Sequence, residues 1–190
     1  GRIIYQELTR ITKEIQDGGF FTNEALLAAM NNAKKSNAAL HLMGLLSDGG
    51  VHSHIDHLKG LLRLAKEQEV QNVYVHCFMD GRDVDPQAGV TYVDMIQKKM
   101  DELHFGHIAD IGGRYWAMDR DKNMDRVDIA YRVMVDHDGP SFKDYRQYFL
   151  DQYAYLPTIG RDPSDEFLIP SYNENCDGRI QDNDAIIFMN

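Results

Sequence analysis

Three times in the first two-thirds of this chain an apolar run breaks off into a glycine-centred polar loop. Ala39 to Leu46 runs into SDGGVHSH (Ser47 to His54), the strand holding Val73, Tyr74 and Val75 into HCFMDGRDVD (His76 to Asp85), and His107 to Ile111 into GGRYWAMDRD (Gly112 to Asp121). Short apolar runs bounded by turn residues are the signature of strands buried on both faces. The segments between them carry a helical period, and alternation of strand and helix restricts the chain to right-handed crossovers and a mostly parallel sheet covered by helices. In such a sheet ligands bind beyond the carboxyl ends of the strands, where all three loops fall.

The remaining elements follow from periodicity and end signals. Arg2 to Asp17 spaces Ile4, Leu8, Ile11 and Ile15 as one face of a helix that Gly18-Gly19 stops. Thr22 is placed to cap a second helix reaching about Ala33, and Leu40 to Leu46 is the first strand. Ser53, with Asp56 as its capping-box partner, is placed to cap a helix running to about Gln68, with Ile55, Leu58, Leu62 and Ala65 inward. Asn72 to Phe78 is the second strand, and a helix follows from about Ala88 to Leu103 with Val90, Val93, Ile96 and Met100 inward. His107 to Ile111 is the third strand. Met124 to Asp136 is the next helix, with Val127, Ala130 and Met134 inward. Beyond Asp138, Asp144 to Tyr155 reads as a Tyr-rich helix and Gly160 to Ser164 as a turn. Phe167 to Tyr172 and Asp184 to Met189 read as extra C-terminal strands, joined by a hairpin around Asp177-Gly178.

With 190 residues, 43% of them hydrophobic and 26% charged, the chain has the composition of one folded α/β domain. Its formal net charge of −10 argues against nucleic acid or an anionic membrane as the main partner, so an anionic ligand would have to be met by locally clustered arginines. No apolar run approaches the roughly 20 residues a bilayer needs, and the expected setting is the cytoplasm. The two cysteines, Cys77 in a strand and Cys176 in a loop, form no CxxC pair, and Cys77 reads as a small buried hydrophobe. Gly1 is not an initiator Met, and the strong strand of residues 185–190 stops without a turn; the expectation is a piece of a larger protein.

Each loop offers candidate chemistry. His52, His54 and His57, near Asp48 and Asp56, have the look of a metal site of a hydrolase, but the helix cap places His54 and His57 on the first turn, in a structural role. His52, just after Gly49-Gly50, is the one free to face a ligand. In the second loop, Arg82 stands beside Asp83 and would help keep it ionised. In the third, Arg114 and Arg120 flank Tyr115-Trp116, and two guanidinium groups suit a carboxylate or phosphate because each presents a planar fork of donors. The bland reading of Arg120, between Asp119 and Asp121, is a surface ion pair.

LMGLLSDGGVHSHIDHL (Leu42 to Leu58), DGRDVDPQ (Asp80 to Gln87) and GGRYWAMDRD (Gly112 to Asp121), in this order, closely resemble the 2,3-bisphosphoglycerate-independent phosphoglycerate mutases. Those enzymes interconvert 3-phosphoglycerate and 2-phosphoglycerate in glycolysis and gluconeogenesis. The family often has Thr-Pro where Val84-Asp85 stands here. The resemblance runs from Gly1 to Asn190 and implies that the chain is one domain of two, the inserted phosphotransferase domain that holds the glycerate. It further implies that a covalently linked phosphatase-like domain, lying outside this sequence, carries the serine nucleophile and two manganese ions. By the same resemblance His52, Arg82, Asp83, Arg114 and Arg120 contact substrate, with Asp83 exchanging protons with it. No metal or cofactor is expected on this domain itself, the expected oligomeric state is a monomer, and the fragment alone is expected to be inactive. The alternatives are a metal-dependent hydrolase built on His52, His54 and Asp83, and a non-catalytic module that binds small carboxylates or phosphates.

Overall fold

The computed structural model describes residues 6–35 and 38–189; the first residues of the predicted opening helix, Ile4 among them, lie outside that range. The helices are α1 (Glu7–Asp17), α2 (Glu24–Lys35), α3 (Ile55–Glu67), α4 (Gly89–Leu103), α5 (Arg114–Ala117), α6 (Met124–Asp136) and α7 (Tyr145–Tyr155). The strands are β1 (Ala39–Leu46), β2 (Asn72–Met79), β3 (His107–Gly113), β4 (Ser141–Phe142), β5 (Ser171–Asn173) and β6 (Ala185–Met189). They form a sheet of order β4-β5-β3-β2-β1-β6. The run β6, β1, β2, β3 is parallel throughout, while β5 is antiparallel to β3 and β4 is parallel to β5. The α/β class and mostly parallel sheet expected from the alternation are therefore what the chain forms.

The two sides of the central strands differ in chemistry. One side presents Leu40, Leu42 and Leu46 from β1, Val73, Val75, Cys77 and Met79 from β2, and Ile111 from β3, all buried in one apolar cluster with Ile55, Leu58, Leu62 and Ala65 of α3 and Val93, Ile96 and Met100 of α4. Ile11 and Ile15 of α1 pack against this cluster. Cys77 is fully buried, and burial pushes its thiol far above the usual range, so it is the small hydrophobe its setting predicts.

The opposite side carries a polar chain through the sheet. Asp184, just before β6, bonds His41 Nε2 at 2.9 Å; His41 Nδ1 meets His76 Nε2 at 2.8 Å; and His76 Nδ1 bonds Asp110. A register shift between Val75 and His76 brings Asp110, rather than Ala109, opposite His76. Burial and the neighbouring His76 hold the His41 imidazole below its usual pKa.

Several expectations need correction. Asn23, not Thr22, caps α2: its Oδ1 accepts from the N–H groups of Ala25 and Leu26 at 3.1 Å, because residues 19–22 form a 3-10 turn. His54, not Ser53, caps α3, accepting from the Asp56 N–H at 3.2 Å, while Ser53 turns inward to the carbonyl of Leu45 and the Asp56 carboxylate pairs with Lys59. The predicted strand Phe167 to Tyr172 is instead a 3-10 turn (Asp165–Phe167) followed by β5, since Pro170 supplies no ladder donor. No hairpin joins the last two strands: β5 and β6 sit on opposite sides of the central strands, and β6 gains parallel pairing with β1. Nor is β6 fully buried; it is an edge strand with Ile186 and Phe188 about half exposed. The two-residue β4 adds a further edge beside β5, at a place where the sequence carries no strand period.

Candidate functional site

The carboxyl ends of β1, β2 and β3 open into one cleft of about 690 Å³ lined by His52, Arg82, Asp83, Arg114 and Arg120, together with Tyr115, Asp119, Arg126, Glu166 and Phe188. Three loops far apart in sequence thus bring together all five candidates read from the sequence. His57 is not among them: it is buried against α1, with Nε2 2.9 Å from the Thr12 hydroxyl, and His54 is held as the helix cap. Both have the structural roles expected of them.

The second loop is folded around Asp80. Its Oδ1 accepts from the backbone N–H groups of Arg82 (3.1 Å) and Asp83 (3.0 Å), and Gly81 takes the left-handed conformation the turn requires, at φ +64°. A Cβ on Gly81 would lie 2.6 Å from Ser164 Oγ and 2.7 Å from the Glu166 nitrogen, and one on Gly113 would lie 2.0 Å from the Glu166 carbonyl oxygen. Only glycines at these two strand ends let residues 164–166 lie across the base of the cleft. That segment is fastened by Asp165 N to Pro86 O and Gly113 N to Leu168 O, both 2.7 Å, and it delivers Glu166 to the cleft wall.

The electrostatics differ from the pairing read from the sequence. Arg114, not Arg82, neutralises Asp83: its Nη1 donates to Asp83 Oδ2 and to Asp80 Oδ1, each at 2.8 Å. Arg82 points the other way, with Nη1 3.7 Å from Glu166 Oε1. His52 Nε2 lies 4.0 Å from Asp83 Oδ2. Burial opposes the charge on Asp80, but the N–H of Asp83, the Ser47 hydroxyl that lies close without a formed hydrogen bond, the N–H of Arg82 and the Arg114 guanidinium together hold its carboxyl below the usual range.

The third loop is wrapped around Asp119, which accepts from Asn123 N at 2.7 Å, Asn123 Nδ2 at 2.8 Å and Arg126 Nη1 at 3.4 Å. Asp119 is thereby committed, and Arg120, exposed beside it, makes no ion pair among the described residues; the surface-pair reading of Arg120 is set aside. Tyr115 is flanked by the guanidinium groups of Arg126 and Arg161, whose Cζ atoms stand 4.0 and 4.4 Å from the ring centroid. Trp116 is anchored by Nε1–H to the Phe167 carbonyl at 3.2 Å. Reading the sequence missed Arg126 and Glu166. Arg126 lies on a helix face that periodicity marks only as solvent-facing, and Glu166 enters through a backbone packing that no motif announces.

Among the described residues no group of three or more His, Cys, Asp or Glu side chains is arranged to hold a metal ion. No described helix is long and apolar enough to cross a membrane.

The strand ends of a mostly parallel α/β sheet thus converge on a cleft of guanidinium, imidazole and carboxylate groups, the place and the chemistry of a ligand site in such sheets. The chain matches the family model described as BPG-independent PGAM N-terminus over residues 11–190, and it belongs to that family, the 2,3-bisphosphoglycerate-independent phosphoglycerate mutases, as their N-terminal domain. It is 51% identical over 193 residues to the 2,3-bisphosphoglycerate-independent phosphoglycerate mutase of Clostridium beijerinckii and 53% identical over 194 residues to that of Clostridium perfringens. Each match covers 100% of this chain and 36% of the relative, so the chain spans about a third of the length of the mutases it matches. Among solved structures it superposes with a TM-score of 0.89 on crystalline Leishmania mexicana phosphoglycerate mutase studied at low cobalt concentration, at 27% identity, over 100% of this chain and 36% of that one.

Proposed function

We propose that this chain is the glycerate-holding domain of a cofactor-independent phosphoglycerate mutase that interconverts 3-phosphoglycerate and 2-phosphoglycerate through a phosphoserine intermediate. The observation that carries this reading is the convergence of His52, Arg82, Asp83, Arg114 and Arg120 on one cleft in a chain of this family. On this reading the serine and two manganese ions belong to a covalently linked phosphatase-like domain, the whole protein works as a cytoplasmic monomer, and neither nucleic acid nor membrane is a partner.

The residues suit the chemistry. Serine Oγ, giving up its proton within its own domain, forms a bond to phosphorus while the bond to the glycerate oxygen breaks, and that oxygen must gain a proton; in the return half-reaction the other hydroxyl loses one as it attacks and the departing serine oxygen regains its own. Asp83 exchanges these protons, as acid in one half and base in the other. Phosphoryl transfer through a loose transition state needs the proton removed only late, so a carboxylate suffices. Arg114 keeps Nη2 and Nε beyond its two internal bonds, and with Arg120 it clamps the substrate carboxylate while the glycerate turns over. His52 and Arg82 complete the wall.

In the full-length enzyme, Asp83→Asn should lower kcat by roughly 10²–10⁴-fold, as loss of a general acid–base group does, with phosphoglycerate still bound. Near-normal turnover would remove Asp83 from the mechanism. The hydrolase reading draws no support from the geometry, since His54 Nδ1 is engaged by the helix N-terminus; stoichiometric tight zinc or manganese on the purified chain would revive it. A pure binding module would gain no mutase activity when joined to the remaining domain.

A further inference from the structure

Asp80 is 1% exposed and lies behind the cleft rather than on its wall, yet it connects the groups that line it. All three of its hydrogen bonds converge on Oδ1, from the N–H of Arg82, the N–H of Asp83 and Arg114 Nη1, while the buried Oδ2 has no hydrogen-bond partner. Arg114 Nη1 is in turn shared between Asp80 and Asp83. One hydrogen of that nitrogen is therefore pinned to a buried anion, which fixes the plane of the guanidinium and with it the directions of Nη2 and Nε. With the Arg114 side chain only 11% exposed, few other rotamers offer its charge a partner.

We propose that Asp80 is a positioning residue that holds Arg114 in the orientation needed to receive the substrate's anionic group and to neutralise Asp83. Its own atoms do not touch the ligand. The asymmetry of its bonding makes this testable. Asparagine can place its amide oxygen where Oδ1 stands and keep both turn N–H bonds, with the Nδ2 group occupying the position of the unpartnered Oδ2. What Asp80→Asn removes is the charge that binds Arg114, so the turn and the anchor can be separated.

The test has a structural arm, independent of the mutase reading, and a binding arm that rests on it. Crystal structures of the full-length protein and its Asp80→Asn variant should show the turn at residues 80–83 unchanged and the Arg114 guanidinium displaced by about 1 Å or more, or split between rotamers. An unmoved guanidinium overturns the proposal. In calorimetry with 3-phosphoglycerate, Asp80→Asn should weaken binding roughly tenfold in the wild-type background but less than about threefold in an Arg114→Ala background, because both changes act through one group. Equal losses in the two backgrounds, or none in either, overturn it. If wild-type protein binds and converts no phosphoglycerate, the mutase reading fails, and a displaced Arg114 still supports the anchoring role. A glutamate at position 80, which keeps the charge but lengthens the arm, should recover less than asparagine does in turn geometry and more in affinity; the reverse ranking counts against charge as the cause.

Discussion

Arg120 differs from its neighbours in the cleft because Arg82, Arg114 and Arg126 all have carboxylate partners within 4 Å, whereas Arg120 has none among the described residues. Its removal costs the fold no internal contact, so Arg120→Ala should leave the unfolding midpoint within experimental scatter. It should weaken phosphoglycerate binding in the full-length enzyme by roughly ten- to a hundredfold, the usual worth of a charge-assisted hydrogen bond. Calorimetry would show it, and Arg120→Lys should recover only part, for want of the fork. A second residue-scale prediction concerns Asp165, whose carboxyl is pushed up to about 6 by burial, against the bonds it accepts from Tyr153 and the Gly89 N–H. A carboxyl with a folded pKa above its unfolded value contributes stability at low pH that is lost as pH rises through about 6. Asp165→Asn should therefore gain on wild type above pH 6 and lose that advantage near pH 4, read from urea midpoints across the range. His52, Arg82, Asp83, Arg114 and Arg120 could be picked out because each lies in a loop that a strand pattern points at. The pairing of Asp83 with Arg114 could not, because sequence adjacency favoured Arg82 and the actual partner stands 31 residues away in another loop.

Elements were easiest to read where one period ran uninterrupted. β1 and β2 run close to their expected extents because their apolar residues face a single compact cluster, and α6 has its expected extent with Ala130 and Val133 buried outside that cluster. Failures gathered where short-range signals competed: two residues able to cap α3, and a last strand whose partner lay far away in sequence. The chain Asp184–His41–His76–Asp110 shows what an element-level reading misses, since each residue alone looks like an exception to a hydrophobic strand. Replacing His76 with Leu leaves Asp110 buried without its imidazole partner and His41 with Asp184 alone, and should cost about 3–5 kcal/mol of unfolding free energy. The double change His41→Leu with His76→Leu should cost less than the sum of the two single changes, since the two imidazoles are bonded to each other. Gly113→Ala belongs to this scale as well: its Cβ would meet the Glu166 carbonyl 2.0 Å away, so backbone must shift. A loss of about 1–3 kcal/mol in chemical denaturation is expected, together with weaker substrate binding as the 164–166 segment lifts.

Across the whole molecule, burial depresses the titration of His41 and of His57, the latter aided by His54. Groups whose folded pKa lies below the unfolded value contribute stability that is present above about pH 6.5 and lost on acidification. The paired carboxylates of Asp80, Asp177 and Asp184 act in the same direction at lower pH. Against the opposing contribution of Asp165, the urea midpoint should fall between pH 7.5 and pH 5; a midpoint that rose would mean the buried histidines carry charge. For function, the chain by itself should not convert 3-phosphoglycerate, and activity should appear in the protein that joins it to the remaining two-thirds of its relatives' length.

The amino-acid order alone fixed the alternation of strand and helix, hence a parallel sheet with its chemistry at one end, because side-chain periodicity is a local property that burial enforces residue by residue. It also marked which loops carry charge. Strand order, the crossing of the last segment to the far edge, the Asp80–Arg114–Asp83 linkage and the arrival of Glu166 were decided only in three dimensions. Those outcomes depend on backbones meeting at distances that glycine alone permits, and on buried charges finding partners brought close by the fold rather than by the sequence.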